Sequence, residues 1–118
     1  MSRKTSLEQL RSELAQFVAE RDWDQFHNPK NLAMALAAEC GELLEHFQWL
    51  TPAQAASLPF ATKEAVAQEI ADVFLFLLRL SDKLDLDLLA AARRKLELNR
   101  KKYPVDKARG RATKYDRL

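Results

Sequence analysis

The chain has 118 residues, 47% of them hydrophobic, with two glycines and four prolines. That suffices for one compact domain with a core, and it excludes a pair of ordinary domains or a loop-rich all-β chain. Its 19 basic and 17 acidic side chains leave a net charge of +2, so no global field demands nucleic acid or a membrane surface as partner. A single cysteine, Cys40, excludes an intrachain disulfide or a cysteine-built zinc site and suits a reducing cytoplasm. Met1-Ser2-Arg3-Lys4 leads into an amphipathic segment, so no signal peptide is expected. The apolar run Val73–Leu80 is too short to span a membrane.

In chain order, Ser6 and Gln9 form a capping-box pattern for a first helix over about 7–20, with Leu7, Leu10, Leu14, Phe17 and Val18 at helical spacing. The segment Arg21–Asn28 breaks that pattern and is rich in aromatics for a connection. Trp23 and Phe26 there can stack on a base or plug the end of a helical bundle. Asn28-Pro29 is an N-cap and first-turn pair for a second helix running to about Leu50. Thr51-Pro52 stops it and starts one short extra turn. Thr62 caps a third helix, to about residue 83, and Asp85 or Asp87 a fourth, which ends before Pro104. No strand alternation or internal repeat appears. The expectation is an all-α, antiparallel four-helix bundle-type subunit over residues 1–105. A basic tail without apolar period follows over 106–118, mobile or docked on a partner.

Helix two carries an apolar stripe of Leu32, Leu36, Cys40, Leu43, Phe47 and Leu50. Beside it runs a line through Ala35, Glu39, Glu42, His46 and Trp49. Helix three repeats the design, with Val66, Ile70, Val73, Phe74 and Leu77 as its core stripe and Glu69, Asp72, Phe76 and Arg79 alongside. Leu75 and Leu78 make its middle apolar almost all round, so it is central to the bundle or covered by another subunit. Two i,i+3 acid pairs, Glu39/Glu42 and Glu69/Asp72, thus border buried faces. Lone anions there are costly, and a hard divalent cation such as Mg²⁺ is the natural counter-charge. The bland alternative is four solvated acids. His27 and His46 are further possible ligands, but neither completes the Glu-x-x-His pairs of a di-iron bundle. Helix four has a core line of Leu88 or Leu89, Ala92, Leu96, Asn99 and Tyr103, with Lys95, Arg100, Lys101 and Lys102 around it. Those cations could grip phosphates or form a solvated basic face; Lys101 fits the solvated face.

Four runs are distinctive: Arg21-Asp22-Trp23-Asp24-Gln25-Phe26-His27-Asn28-Pro29, Glu39-Cys40-Gly41-Glu42, Glu69-Ile70-Ala71-Asp72 and Asn99-Arg100-Lys101-Lys102-Tyr103-Pro104. Together they make the chain resemble the MazG-like all-α nucleoside triphosphate pyrophosphohydrolases, in particular the dCTP pyrophosphatase group. The resemblance implies Mg²⁺ held by Glu39, Glu42, Glu69 and Asp72, with Glu39 or Glu42 as general base. It implies hydrolysis of a nucleoside triphosphate, dCTP or a modified dCTP first, to the monophosphate and pyrophosphate. It also implies nucleotide contacts from Trp23, His27, Trp49 and Phe76, with Lys95, Asn99, Arg100 and Tyr103 toward the phosphates, and a homo-oligomer, dimer or tetramer. Two positions depart from the family pattern. Ala38 stands where a further acid is frequent, and Phe76 where dCTP-type relatives look like carrying tyrosine. Alternative readings are a broad-specificity dNTP/NTP pyrophosphohydrolase, or a non-enzymatic helical oligomer binding a partner through its basic C-terminal end.

Overall fold

A computed structural model describes residues 5–118, and among them the chain is helical with no strand. Internal contacts divide it into two compact units, one ending at Asp85 and one running Leu86–Leu118.

In the first unit, helix α1 spans Ser6–Glu20. Its capping box is Thr5 with Glu8, one residue ahead of the expected Ser6 and Gln9: Glu8 N–H donates to Thr5 Oγ1 at 3.1 Å, and Thr5 N–H to the Glu8 carboxylate at 3.2 Å. Both registers satisfy the pattern, but only Glu8 brings a negative charge to the positive end of the helix dipole. The helix closes in a Schellman motif. Asp22 takes a left-handed conformation (φ 54°). Asp22 N–H then donates to Ala19 O at 3.1 Å and Trp23 N–H to Val18 O at 3.0 Å. Trp23 packs edge-on against Phe17, ring centroids 5.7 Å apart, which is the apolar contact this motif favours.

A 3₁₀ turn, Asp24–Phe26, leads to α2, Pro29–Glu45, capped by Asn28 as expected. The helix stops at Glu45 and not near Leu50. His46 to Leu50 wind into shorter turns, with Phe47 N–H to Leu44 O and Leu50 N–H to Phe47 O, both 2.9 Å. Pro52 forces Thr51 extended (ψ 161°), so the last turn tightens before it. Thr51 and Gln54 then form a capping box for the short helix α3, Pro52–Ala55. Helix α4 spans Phe60–Lys83. It opens at Pro59, whose carbonyl accepts from Lys63 N–H at 2.9 Å, and not at Thr62, which lies inside the first turn.

Helices α1 and α2 both pack on α4, and among the described residues Val18, Leu32, Val66 and Leu78 form the buried apolar core. The expected core stripe of α4 is only partly covered: Ile70 is 53% exposed, Phe74 38% and Leu77 37%. A helix apolar almost all round has more greasy surface than α1 and α2 can hide.

In the second unit, Asp87 caps α5, Leu88–Lys102, by accepting from Ala90 N–H at 3.0 Å. The segment beyond Pro104 holds a short helix α6, Val105–Ala108, and a 3₁₀ turn at Tyr115–Arg117. Tyr115 rests edge-on against Tyr103, 6.0 Å between centroids, with Lys102 Nζ 4.7 Å from the Tyr115 ring.

Candidate active site

Because α2 and α4 pack together, their acids meet. One carboxylate oxygen from each of Glu39, Glu69 and Asp72 lies within 4.8 Å of the others. Glu39 and Glu69 are half-buried and Asp72 is exposed. Glu39 Oε2 and Glu69 Oε2 are both buried without a hydrogen-bond partner. Two orphaned oxygens facing a third carboxylate is a costly arrangement for protein groups alone. The adjoining Glu69 carboxyl, then burial, then Glu42 and Asp72 push the Glu39 pKa up to about 7. A shared proton or a cation relieves the crowding, and an all-oxygen donor set of this kind suits a hard divalent ion. Glu42 lies one turn along α2, exposed and outside the group of three, yet near enough to act on Glu39.

Beside the carboxylates, α1, the Trp23–His27 segment and α4 enclose a cleft of about 280 Å³. Trp23, His27, Phe76 and Arg79 line it, and Asp72 belongs to its wall as well as to the carboxylate group. Trp23 keeps about half its surface free (45% exposed) while braced on Phe17. Its two possible roles, plug and stacking face, are therefore compatible.

Behind the cleft stands a buried guanidinium. Arg79, 7% exposed, donates from Nε to His27 Nδ1 at 3.2 Å, from Nη1 to Asp82 Oδ2 at 3.1 Å and from Nη2 to Asp24 Oδ1. Lys83 Nζ also meets Asp24 Oδ1, at 2.8 Å, and Arg11 Nη1 meets Asp82 Oδ1 at 3.2 Å. The hydrogen bond from Lys83, with the charge of Arg79 added, holds the Asp24 carboxyl below its ordinary pKa. Burial, then the Arg79 charge, pushes the His27 pKa below the usual histidine value, so its ring is neutral at physiological pH. Sequence patterning alone does not reveal this network, although an arginine inside the apolar run of α4 is the signal that could have pointed to it.

The other expected residues divide. Trp49 leaves the line of Glu39 and Glu42 because α2 ends first, and it stands 86% exposed in the turn that follows. Neither His46 nor His27 joins the carboxylate group. Lys95, Asn99, Arg100 and Tyr103 all belong to the second unit. There Asn99 O caps the helix end by accepting from Tyr103 N–H at 2.8 Å, and Arg100 pairs with Glu97 at 2.6 Å.

Comparison with known proteins is consistent in direction. Residues 34–118 match the MazG-like family model. The chain is 43% identical to dCTP pyrophosphatase 1 of Rattus norvegicus, over 99% of this chain and 70% of that protein. It is 40% identical to dCTP pyrophosphatase 1 of Homo sapiens over the same shares. The crystal structure of a pyrophosphatase from Archaeoglobus fulgidus superposes with a TM-score of 0.77 at 37% identity, covering 88% of this chain and 97% of that one.

Proposed function

This chain belongs to the MazG-like family, and from that membership and its site we propose that it hydrolyses deoxynucleoside triphosphates, dCTP or a modified dCTP first, to the monophosphate and pyrophosphate. The observation that carries the reading is Asp72. One side chain belongs both to the carboxylate group and to the aromatic cleft, so a nucleoside in the cleft has its phosphates led toward the acids.

Glu39, Glu69 and Asp72, with Glu42 beside them, would hold Mg²⁺, for which the two orphaned oxygens are the structural support. When bound, the metal neutralises charge on the triphosphate and its leaving group. The remaining work falls to the chain. Trp23 and Phe76 present ring surfaces for a base, and their bulk keeps water from the cleft. Glu42, not committed to the group of three, takes the proton of the attacking water. Lys95, Asn99, Arg100 and Tyr103, all on the second unit, are the residues that the family resemblance assigns to phosphates. The half-exposed stripe Ile70, Phe74 and Leu77 supports assembly into a homo-oligomer.

The test is pyrophosphate release from a panel of dNTPs and NTPs with and without Mg²⁺. Release is expected to need the metal and to be fastest with a cytosine nucleotide. Glu42→Gln and Asp72→Asn should abolish it while leaving the helical circular dichroism intact. Full activity in both variants would overturn the assignment. Equal rates across all bases would favour the broad-specificity reading, for which the missing hydroxyl at Phe76 is the structural argument.

A further inference from the structure

One charged side chain of the cleft wall, Arg79, is held at all three of its nitrogens by the protein itself. Three of its five N–H donors are thus held by protein atoms, and the Nε donor acts on the cleft through His27. A guanidinium stays protonated in proteins, so its Nε is always a donor and the ring nitrogen facing it must accept. That nitrogen is Nδ1 of His27, and the proton of the neutral ring is thereby forced onto Nε2. Among the described residues no protein group engages Nε2. Asp24 and Asp82 hold the guanidinium at Nη2 and Nη1, and Lys83 and Arg11 hold those carboxylates in turn. The geometry is thus fixed two contacts deep.

We propose that Arg79 is a positioning residue that locks His27 as its Nε2–H tautomer, so that the cleft presents a fixed donor to a hydrogen-bond acceptor on the bound nucleobase. The proposal rests on the nucleotide reading above and adds how the base is read. Phe76 brings no polar group to the cleft, and Arg79 is bound by protein at each of its three nitrogens. The uncharged residues of the wall that carry an N–H donor are then Trp23 and His27. Such donors match a base edge of acceptors, such as the O2 and N3 pair of cytosine. A site built around a fixed donor rejects a ligand lacking the acceptor, because the donor would be left buried and unpaired.

The experiment is a long-range ¹H–¹⁵N spectrum of ring-labelled histidine in the full chain, with His27 distinguished from His46 by a His46→Gln variant. Expected for the ligand-free protein is Nδ1 unprotonated and Nε2 protonated, with the Nε2 resonance shifting on addition of dCMP. A ring protonated on Nδ1, or an Nε2 resonance that dCMP leaves in place, overturns the proposal. Neither readout needs turnover, so a chain inactive on every triphosphate would count against the proposed function and still leave this inference decided. Arg79→Met should release the tautomer and raise KM for dCTP about tenfold, by more than it lowers kcat. Arg79→Lys, which keeps a donor, should recover the Nε2–H form and part of the KM. A variant series that lowers thermal stability without moving either the tautomer or KM also overturns it.

Discussion

Glu39 decides much of the behaviour of the carboxylate group. With its pKa lifted from 4.5 to about 7, the cation-free folded chain carries a proton there, between those pH values, that the unfolded chain has lost. This group therefore favours the folded state at pH below about 4.5, and the advantage is lost as pH rises through about 7. A divalent cation reverses the sense, since it needs the ionised carboxylate and displaces that proton. The rise in melting temperature on adding Mg²⁺ should accordingly be larger at pH 8 than at pH 6, as differential scanning fluorimetry would read. Equal rises at both pH values would mean that Glu39 does not touch the ion. The acids themselves are legible in the sequence, because i,i+3 spacing beside an apolar stripe is a local pattern. The Arg79 network is not. Its partners His27 and Asp24 lie 52 and 55 residues away along the chain, and only the packing of the Trp23–His27 segment on α4 joins them.

At the scale of elements, helix starts are readable where one capping residue stands alone. Asn28 and Thr51 each accept from the backbone as their types demand, and of the two candidates Asp85 and Asp87 it is Asp87 that does so. Reading fails where two registers compete, at Thr5 against Ser6, and where proline does the work of a side-chain cap, at Pro59 against Thr62. The two cases separate experimentally. Asn28→Ala should cost about 1 kcal/mol of stability, whereas Thr62→Ala should stay within about 0.5 kcal/mol. Urea midpoints at unchanged slope would measure both. A loss at Thr62 as large as that at Asn28 would mean that α4 begins where sequence patterning expected. The end of α2 has a consequence for binding too. Had the helix run on to Leu50, Trp49 would share the line of Glu39 and Glu42; the tight turns after Glu45 remove it from that line.

For the whole molecule, the apolar surface of α4 is the feature its own packing leaves unfinished. Ile70, Phe74 and Leu77 follow one another at four- and three-residue steps, all more than a third exposed, and the proposed homo-oligomer would bury a stripe of that kind. Phe74→Glu should reduce the mass measured by light scattering to that of a smaller assembly, with helical content retained. An unchanged mass would exclude this stripe from the interface. No helix among the described residues is long and apolar enough to cross a membrane, so the stripe has no bilayer-spanning explanation. Its residues alternate along α4 with Glu69 and Asp72, which belong to the carboxylate group. A second copy packed on the stripe would sit on the helix that carries two of the site's acids. Mass action then reaches the chemistry: on dilution below the dissociation constant of the assembly, turnover per chain should fall, and simple reconcentration should restore it.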